Sequence, residues 1–197
     1  MKTCFTTLCA LLLAVAVSQA AEPLRIKLFP EGTPTKTGLE ELSESINEKG
    51  YYVGVSDPEL LVYLPDSARA TGQAMLVVPG GSYEKVCITH EGYKTAEWLN
   101  EHGIAAMILK YRMPNGHPEI PLEDGEQAMR VIRRNAAQWG IDTRSVGIIG
   151  FSAGGHFAST LITEYTNAET RPDFAVLVYP VISMKYSSVR TRENLLG

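Results

Sequence analysis

The chain has 197 residues, 45% of them hydrophobic and 20% charged, enough for one globular domain with its own core. Its formal net charge is −4 without any block of like charge, which excludes the usual signature of a nucleic-acid or anionic-membrane partner. Three cysteines, at positions 4, 9 and 87, are too few for a disulfide framework.

Residues 1–20 read as a secretory signal. Met1-Lys2 gives a positive start, "CFTTLCALLLAVAV" an apolar run too short to span a membrane, and Ser18-Gln19-Ala20 a small-x-small cleavage site. Cleavage after Ala20 implies export to the periplasm or the medium, with no membrane insertion of the mature form. It also removes Cys4 and Cys9. Cys87 then stands alone and is read as a small buried apolar residue, since nothing in "KVCITHEG" lowers its pKa. Residues 21–50 are polar, broken by Pro30, Gly32 and Pro34, and read as a surface leader with a short helix in "GLEELSESINEKG".

From Tyr51 to Gly197 the pattern is that of one domain. "ELLVYLP" is strand-like, and "AMLVVPGG" is an apolar run ending in glycines. "EGYKTAEWLNEHG" is a helix with Tyr93, Ala96 and Leu99 on one side and Gly103 as its stop. "IAAMILKY" is a further buried strand. In "PLEDGEQAMRVIRRNAAQWG" the residues Ala128, Val131, Ile132, Ala136 and Trp139 share a helical face, and Arg130, Arg133 and Arg134 lie on its polar side. "VGIIGFSAGGHFAST" runs from strand into helix, and "FAVLVYPVI" is the last strand. This alternation predicts an α/β fold, a mostly parallel sheet with helices on both faces and sites at the carboxyl ends of its strands.

Two glycine turns fall at those ends. Gly150-Phe151-Ser152-Ala153-Gly154 fits the G-x-S-x-G nucleophile elbow, whose glycines let strand and helix close around a strained serine. Ser152 at a helix N-terminus is the candidate catalytic nucleophile. Pro79-Gly80-Gly81-Ser82-Tyr83 supplies the second part. Acyl transfer needs backbone N–H donors for the oxyanion, and Ala153 with Gly81 or Ser82 are the candidates.

The region from Ser56 to Gly197 resembles the secreted bacterial acetyl esterase and xylan esterase group of the α/β-hydrolase superfamily. The resemblance rests on "SDPELLVYLP", "VVPGGSY", "THEGYKTAEWLNEHGIAAMILKYRMP", "PLEDGEQAMRVIRRNAAQWGID", "VGIIGFSAGGHFAST" and "VLVYPVISM". It implies a serine acylated by an ester of a decorated sugar, usually acetate, and then freed by water. The substrate would be an acetylated plant polysaccharide or oligosaccharide. The group's loop more often reads P-G-G-G-Y, with Ser82 here in place of the third glycine.

A triad also needs a base and an acid, in this superfamily in the order Ser, Asp or Glu, His. After Ser152 only His156 remains, one turn along the same helix, where it should pack beneath the serine rather than face it. His90 in "HEG" resembles a position near the site mouth. His102 suits a helix C-terminal turn, and His117 a loop. Asp124 is explained by helix electrostatics, and Asp173 precedes the last strand. The triad acid and base are therefore not expected in this chain. It ends at "RTRENLLG", where the group continues with a helix and two strands that carry them, so a C-terminal truncation is the expectation. An open strand edge would follow.

No metal or cofactor is expected: the histidines lack ligand spacing, and "GFSAGG" lacks the G-x-G-x-x-G spacing of a dinucleotide fold. Trp98 and Tyr111 are assigned to the core. Two other functions share these features. A prolyl-oligopeptidase-type peptidase has the same elbow but normally a propeller for which there is no room here. A non-catalytic carbohydrate-binding pseudo-enzyme has no need of both glycine turns.

Overall fold

The computed structural model of the protein describes residues 23–197, and the expected signal peptide at 1–20 lies outside them. In chain order the strands are β1 (Leu24–Lys27), β2 (Ser45–Ile46), β3 (Tyr52–Val53), β4 (Glu59–Tyr63), β5 (Ala74–Val78), β6 (Lys85–Val86), β7 (Ala105–Lys110), β8 (Val146–Phe151) and β9 (Ala175–Val178). The helices are α1 (Lys94–Glu101), α2 (Glu119–Trp139), α3 (Ala153–Glu164) and α4 (Val189–Leu196). A π-helical turn, Ile88–Tyr93, leads into α1.

Six strands form one sheet in the order β1-β4-β7-β5-β8-β9. β7, β5, β8 and β9 are parallel, while β4 runs against both β1 and β7. The sequence explains the middle. β5 (AMLVV) and β7 (AAMILK) are buried at every position, as strands covered on both faces must be. Each fully buried Leu, Ile or Val there contributes about 1.5–3 kcal/mol. A second, three-stranded antiparallel sheet, β2-β3-β6, flanks the site.

The connections fix the faces. β5 to β7 moves one way along the sheet; β7 to β8 returns past β5, and β8 to β9 continues in that direction. Right-handed crossovers then put α1 on one face and α2 with α3 on the other. Gly125 lets α2 and α3 approach, since a Cβ there would meet the Phe157 ring at 2.8 Å. The path reverses between the neighbouring strands β5 and β8, and both glycine turns leave from their carboxyl ends. Open α/β sheets bind ligands at such a switch point.

The polar segment before Tyr51 is built into this unit. "LRIK" forms β1 beside β4, and Leu28 is fully buried. The helix expected in "GLEELSESINEKG" does not form. Polar side chains there bond their own backbone instead: Glu40 accepts the Thr37 N–H at 2.7 Å, and Asn47 Oδ1 accepts those of Lys49 and Tyr51. That leaves a turn and the short β2. α4, which carries no clear periodic pattern, starts at the Ser188 cap, whose hydroxyl accepts the Thr191 N–H.

β9 is the edge of the six-stranded sheet among the described residues, with Val176 and Leu177 exposed. No helix among the described residues is long and apolar enough to cross a membrane.

Candidate active site

The elbow begins with the backbone. Ser152 sits at φ 51°, ψ −117°, a region an L-residue occupies only when its surroundings force it. The glycines explain how. A Cβ on Gly150 would lie 2.1 Å from the Gly154 carbonyl oxygen, and one on Gly154 would lie 2.2 Å from that of Val78. A Cβ on Gly155 would meet Pro180 at 2.7 Å. Strand, helix and the end of β9 thus close on one residue. Its own backbone ties them: the Ser152 N–H donates to the Val178 carbonyl at 3.1 Å, and the Ser152 carbonyl accepts from the Val181 N–H at 3.0 Å.

The serine's side chain is left to solvent. Ser152 is part-exposed, and its hydroxyl makes no capping hydrogen bond to the helix it starts. It stands at the N-terminus of α3, where the helix dipole favours negative charge.

The loop after β5 lies against it. A Cβ on Gly80 would come within 2.6 Å of the Phe151 carbonyl oxygen and 3.0 Å of Ser152 Cβ. Gly81 has φ 137°, and Ser82 and Tyr83 follow at φ 57° and 56°, two non-glycine residues in succession in the left-handed region. Such strain persists only where neighbours hold it. Here four contacts do. Tyr111 donates its hydroxyl to the Pro79 carbonyl at 3.0 Å, and the Gly80 N–H donates to Glu91 Oε2 at 2.6 Å. Asn194 Nδ2, from α4, donates to the Ser82 carbonyl at 2.9 Å, and Tyr83 Oη lies 2.9 Å from His156 Nδ1. Meanwhile the N–H groups of Gly81, Ser82 and Ala153 have no acceptor among the described residues. Three unpaired donors therefore accompany Ser152.

The other candidates fall elsewhere. His156 packs beneath the elbow on Tyr83, and burial lowers its pKa from the usual imidazole value, disfavouring the charged ring. His90 is exposed, with its ring edge-on to Tyr51, and His117 lies in a loop near Glu119. His102 caps α1, its Nδ1 2.7 Å from the Trp98 carbonyl oxygen and its ring stacked on the indole. Trp98, assigned to the core from its sequence, is 55% exposed because that stack covers only one face, whereas Tyr111 is fully buried. Burial raises the Cys87 thiol to about 11, with Glu91 adding to the shift.

Asp173 accepts the Val146 N–H at the start of β8, the opposite end of the sheet from Ser152. Asp124 is not at a helix start, because α2 begins at Glu119. It is fully buried against Arg112, accepting from the backbone N–H and from Nε, each at 2.8 Å. Burial lifts its pKa to about 6, against the opposing pull of Arg112. Among the described residues no cluster of His, Cys, Asp and Glu could hold a metal ion.

Three residues of this site carried no signal of their own. Tyr111, Glu91 and Asn194 meet the glycine loop from 32, 11 and 112 positions away, so only the fold brings them there.

The BD-FAE family model matches residues 60–188. The "Acetylxylan esterase" of Xylanibacter ruminicola is 43% identical over 154 residues, which are 75% of this chain and 32% of that protein. The chain therefore spans about a third of the length of that curated relative. Among solved structures, the acetyl ester-xyloside bifunctional hydrolase from Caldicellulosiruptor lactoaceticus superposes with a TM-score of 0.67 at 31% identity, covering 91% of this chain and 65% of that one. MGS-M1, an alpha/beta hydrolase from a Medee basin deep-sea metagenome library, gives 0.54 at 32% identity over 70% of this chain and 56% of its own. The match over most of the domain, on a sheet that carries its glycine turns at the switch point, makes this chain a member of the BD-FAE family with an α/β-hydrolase fold.

Proposed function

We propose that this chain belongs to a serine carboxylesterase and carries the nucleophile and oxyanion hole. As a general base takes its proton, Ser152 Oγ attacks the ester carbonyl, forming a C–O bond and a tetrahedral oxyanion. The N–H groups of Ala153 and of Gly81 or Ser82 receive that charge. The C–O bond to the leaving group breaks as the base passes that proton to the departing alcohol, leaving an acyl-serine. Water then attacks, giving its proton to the base, and the base returns it to Ser152 as the acid is released. One observation carries this most: three unpaired N–H donors and a part-exposed serine share one switch point. One oxyanion donor is worth about 10²–10³ in rate.

His156 and Asp124 do not serve as the triad's base and acid. His156 is held on Tyr83, and Asp124 is consumed by Arg112. The substrate is an acylated, chiefly acetylated, plant polysaccharide or its oligomers. That assignment is supported by likeness to an acetylxylan esterase and to an acetyl ester-xyloside hydrolase. The protein is exported, as the apolar leader before Ala20 implies.

The test is covalent labelling of the protein expressed from its own gene with a fluorophosphonate, beside Ser152→Ala. Adduct mapped to Ser152, together with acetate release from acetylated xylan, is the expected outcome. Labelling no higher than in Ser152→Ala overturns the assignment and favours a non-catalytic binding protein.

A further inference from the structure

We propose that Glu91 is a positioning residue of the oxyanion hole, a carboxylate clamp that fastens the strained glycine loop and the strained end of β9 to one another beside Ser152. The proposal rests on the serine-esterase function given above.

Each oxygen of Glu91 has its own partner. Oε2 accepts the Gly80 N–H at 2.6 Å, and Oε1 accepts the Tyr179 hydroxyl at 2.8 Å. The two partners belong to segments that both touch the elbow. Gly80 is wedged between the Phe151 carbonyl, Ser152 Cβ and Glu91 Oε2, all within 3.2 Å of where its Cβ would be. Tyr179 follows Val178, whose carbonyl accepts the Ser152 N–H, and its ring lies 6.0 Å from that of Phe151.

Both segments are strained as well. Tyr179 sits at φ 37°, and Ser82 and Tyr83 at 57° and 56°. Left-handed non-glycine residues are strained and persist only where their surroundings hold them. A charged acceptor holding a backbone N–H is among the stronger hydrogen bonds a protein makes. The clamp also decides which amide is not a catalyst. With its N–H turned to Glu91, Gly80 leaves the next two amides, of Gly81 and Ser82, as the open donors.

The mounting of Glu91 fits this role. It lies in the π-helical turn Ile88–Tyr93, whose first residue follows Cys87, and the Cys87 N–H donates to the Gly80 carbonyl at 2.9 Å. Gly80 is thus held to that turn at both its N–H and its carbonyl. Such turns widen a helix locally and re-aim its side chains.

The experiment compares Glu91→Ala, Glu91→Gln and Tyr179→Phe with the parent by fluorophosphonate labelling rate at Ser152, thermal midpoint and the proton shift of the Gly80 amide. Glu91→Ala is expected to label about 10- to 100-fold more slowly, the size of a 1 Å misplacement in a site. Its Gly80 amide proton should move upfield, as a charge-assisted bond is lost. Glu91→Gln keeps an acceptor oxygen for Gly80 and should stay within about fivefold of the parent. Tyr179→Phe should fall between them. A parent rate in Glu91→Ala, an unmoved Gly80 amide, or a folded Glu91→Gln as slow as Glu91→Ala each overturns the clamp. Should Glu91→Ala fail to fold, Glu91→Gln and Tyr179→Phe decide by the same readouts. A parent that does not label at Ser152 overturns the esterase function instead. The Gly80 amide shift then judges the clamp alone, upholding it if it moves and overturning it if it does not.

Discussion

Tyr83 Oη lies 2.9 Å from His156 Nδ1, joining the left-handed residue of the glycine loop to the second turn of the elbow helix. Tyr83 is 1% exposed, and burial raises its pKa, so it stays a neutral phenol. Burial lowers that of His156 below 6.5. The folded state therefore binds fewer protons at His156 than the unfolded state, and stability falls as pH drops. The contribution is fully present above pH 6.5 and is lost as pH falls through the depressed folded value. Thermal midpoints from pH 8 to pH 5 should decline below about 6.5 in the parent. They should decline less in His156→Gln, which cannot charge. Parallel curves for the two proteins would refute the link.

Tyr83→Phe removes the hydroxyl and leaves the ring's packing on Tyr111 and His156. The expected loss is about 1 kcal/mol, one net hydrogen bond plus part of the desolvation of Nδ1. Urea unfolding measures it. The same variant should slow labelling of Ser152, because the N–H groups of Ser82 and Gly81 lose one of the contacts that fix them.

The elbow glycines make a steric prediction. Gly154→Ala would place a methyl 2.2 Å from the Val78 carbonyl oxygen and 2.6 Å from that of Pro79, both backbone atoms that cannot swing aside. Overpacking of this kind costs about 1–3 kcal/mol. Gly140→Ala is the contrast. Its Cβ would meet nothing within 4 Å, and only the left-handed φ of 67° opposes it, at a cost of about 1 kcal/mol. A larger midpoint loss for Gly140→Ala than for Gly154→Ala would contradict this account.

That contrast also says what a sequence can disclose. Gly150, Ser152 and Gly154 announce an elbow because their constraints act within five residues of chain. The central strands were equally plain, since β5 and β7 are apolar at nearly every position and are buried on both faces. β1 was not: "LRIK" alternates apolar and polar residues over only four positions, too short a run to stand out, and its Arg25 and Lys27 pair with Glu59 and Asp57. Asp124 was misjudged for a related reason. Its position suggested a helix-dipole contact, while the Arg112 that pairs with it reaches it only once β7 and α2 have packed. Glu91 and Asn194 belong to the same class.

Cys87 offers a simple chemical check. Burial raises its thiol to about 11, and the nearby Glu91 charge pushes in the same direction. At pH 8 the thiolate is then only about one part in a thousand, against roughly a quarter for a free thiol of pKa 8.5. Alkylation by iodoacetamide in the folded protein should be at least tenfold slower than in urea, and Cys87→Ser should leave labelling of Ser152 unchanged. A fast-reacting native thiol would contradict the environment described.

Arg112 and Asp124 carry the largest predicted energetic effect. Both are fully buried, and the guanidinium also donates to the Thr35 carbonyl at 2.6 Å and to Glu123 at 3.0 Å, with its plane 5.2 Å from the Phe29 ring. One cation thus holds the start of α2 to the chain between residues 29 and 35. Asp124→Ala removes the fully buried anion and leaves the guanidinium only the part-exposed Glu123 as ion-pair partner, a change that costs about 3–5 kcal/mol because a desolvated charge loses its buried counterion. Arg112→Met removes the cation but leaves a buried carboxylate, whose pKa already stands near 6, so protonation offers it an escape. The two variants should therefore differ in their pH dependence. Arg112→Met should regain stability as pH falls through the raised carboxyl pKa, since the folded state then binds a proton the unfolded state does not. Asp124→Ala should show no such gain. Urea midpoints at pH 5 and pH 8 distinguish them, and cleavage near residues 29–37 by a protease should accelerate in both variants at pH 8, as the segment held by Arg112 comes free.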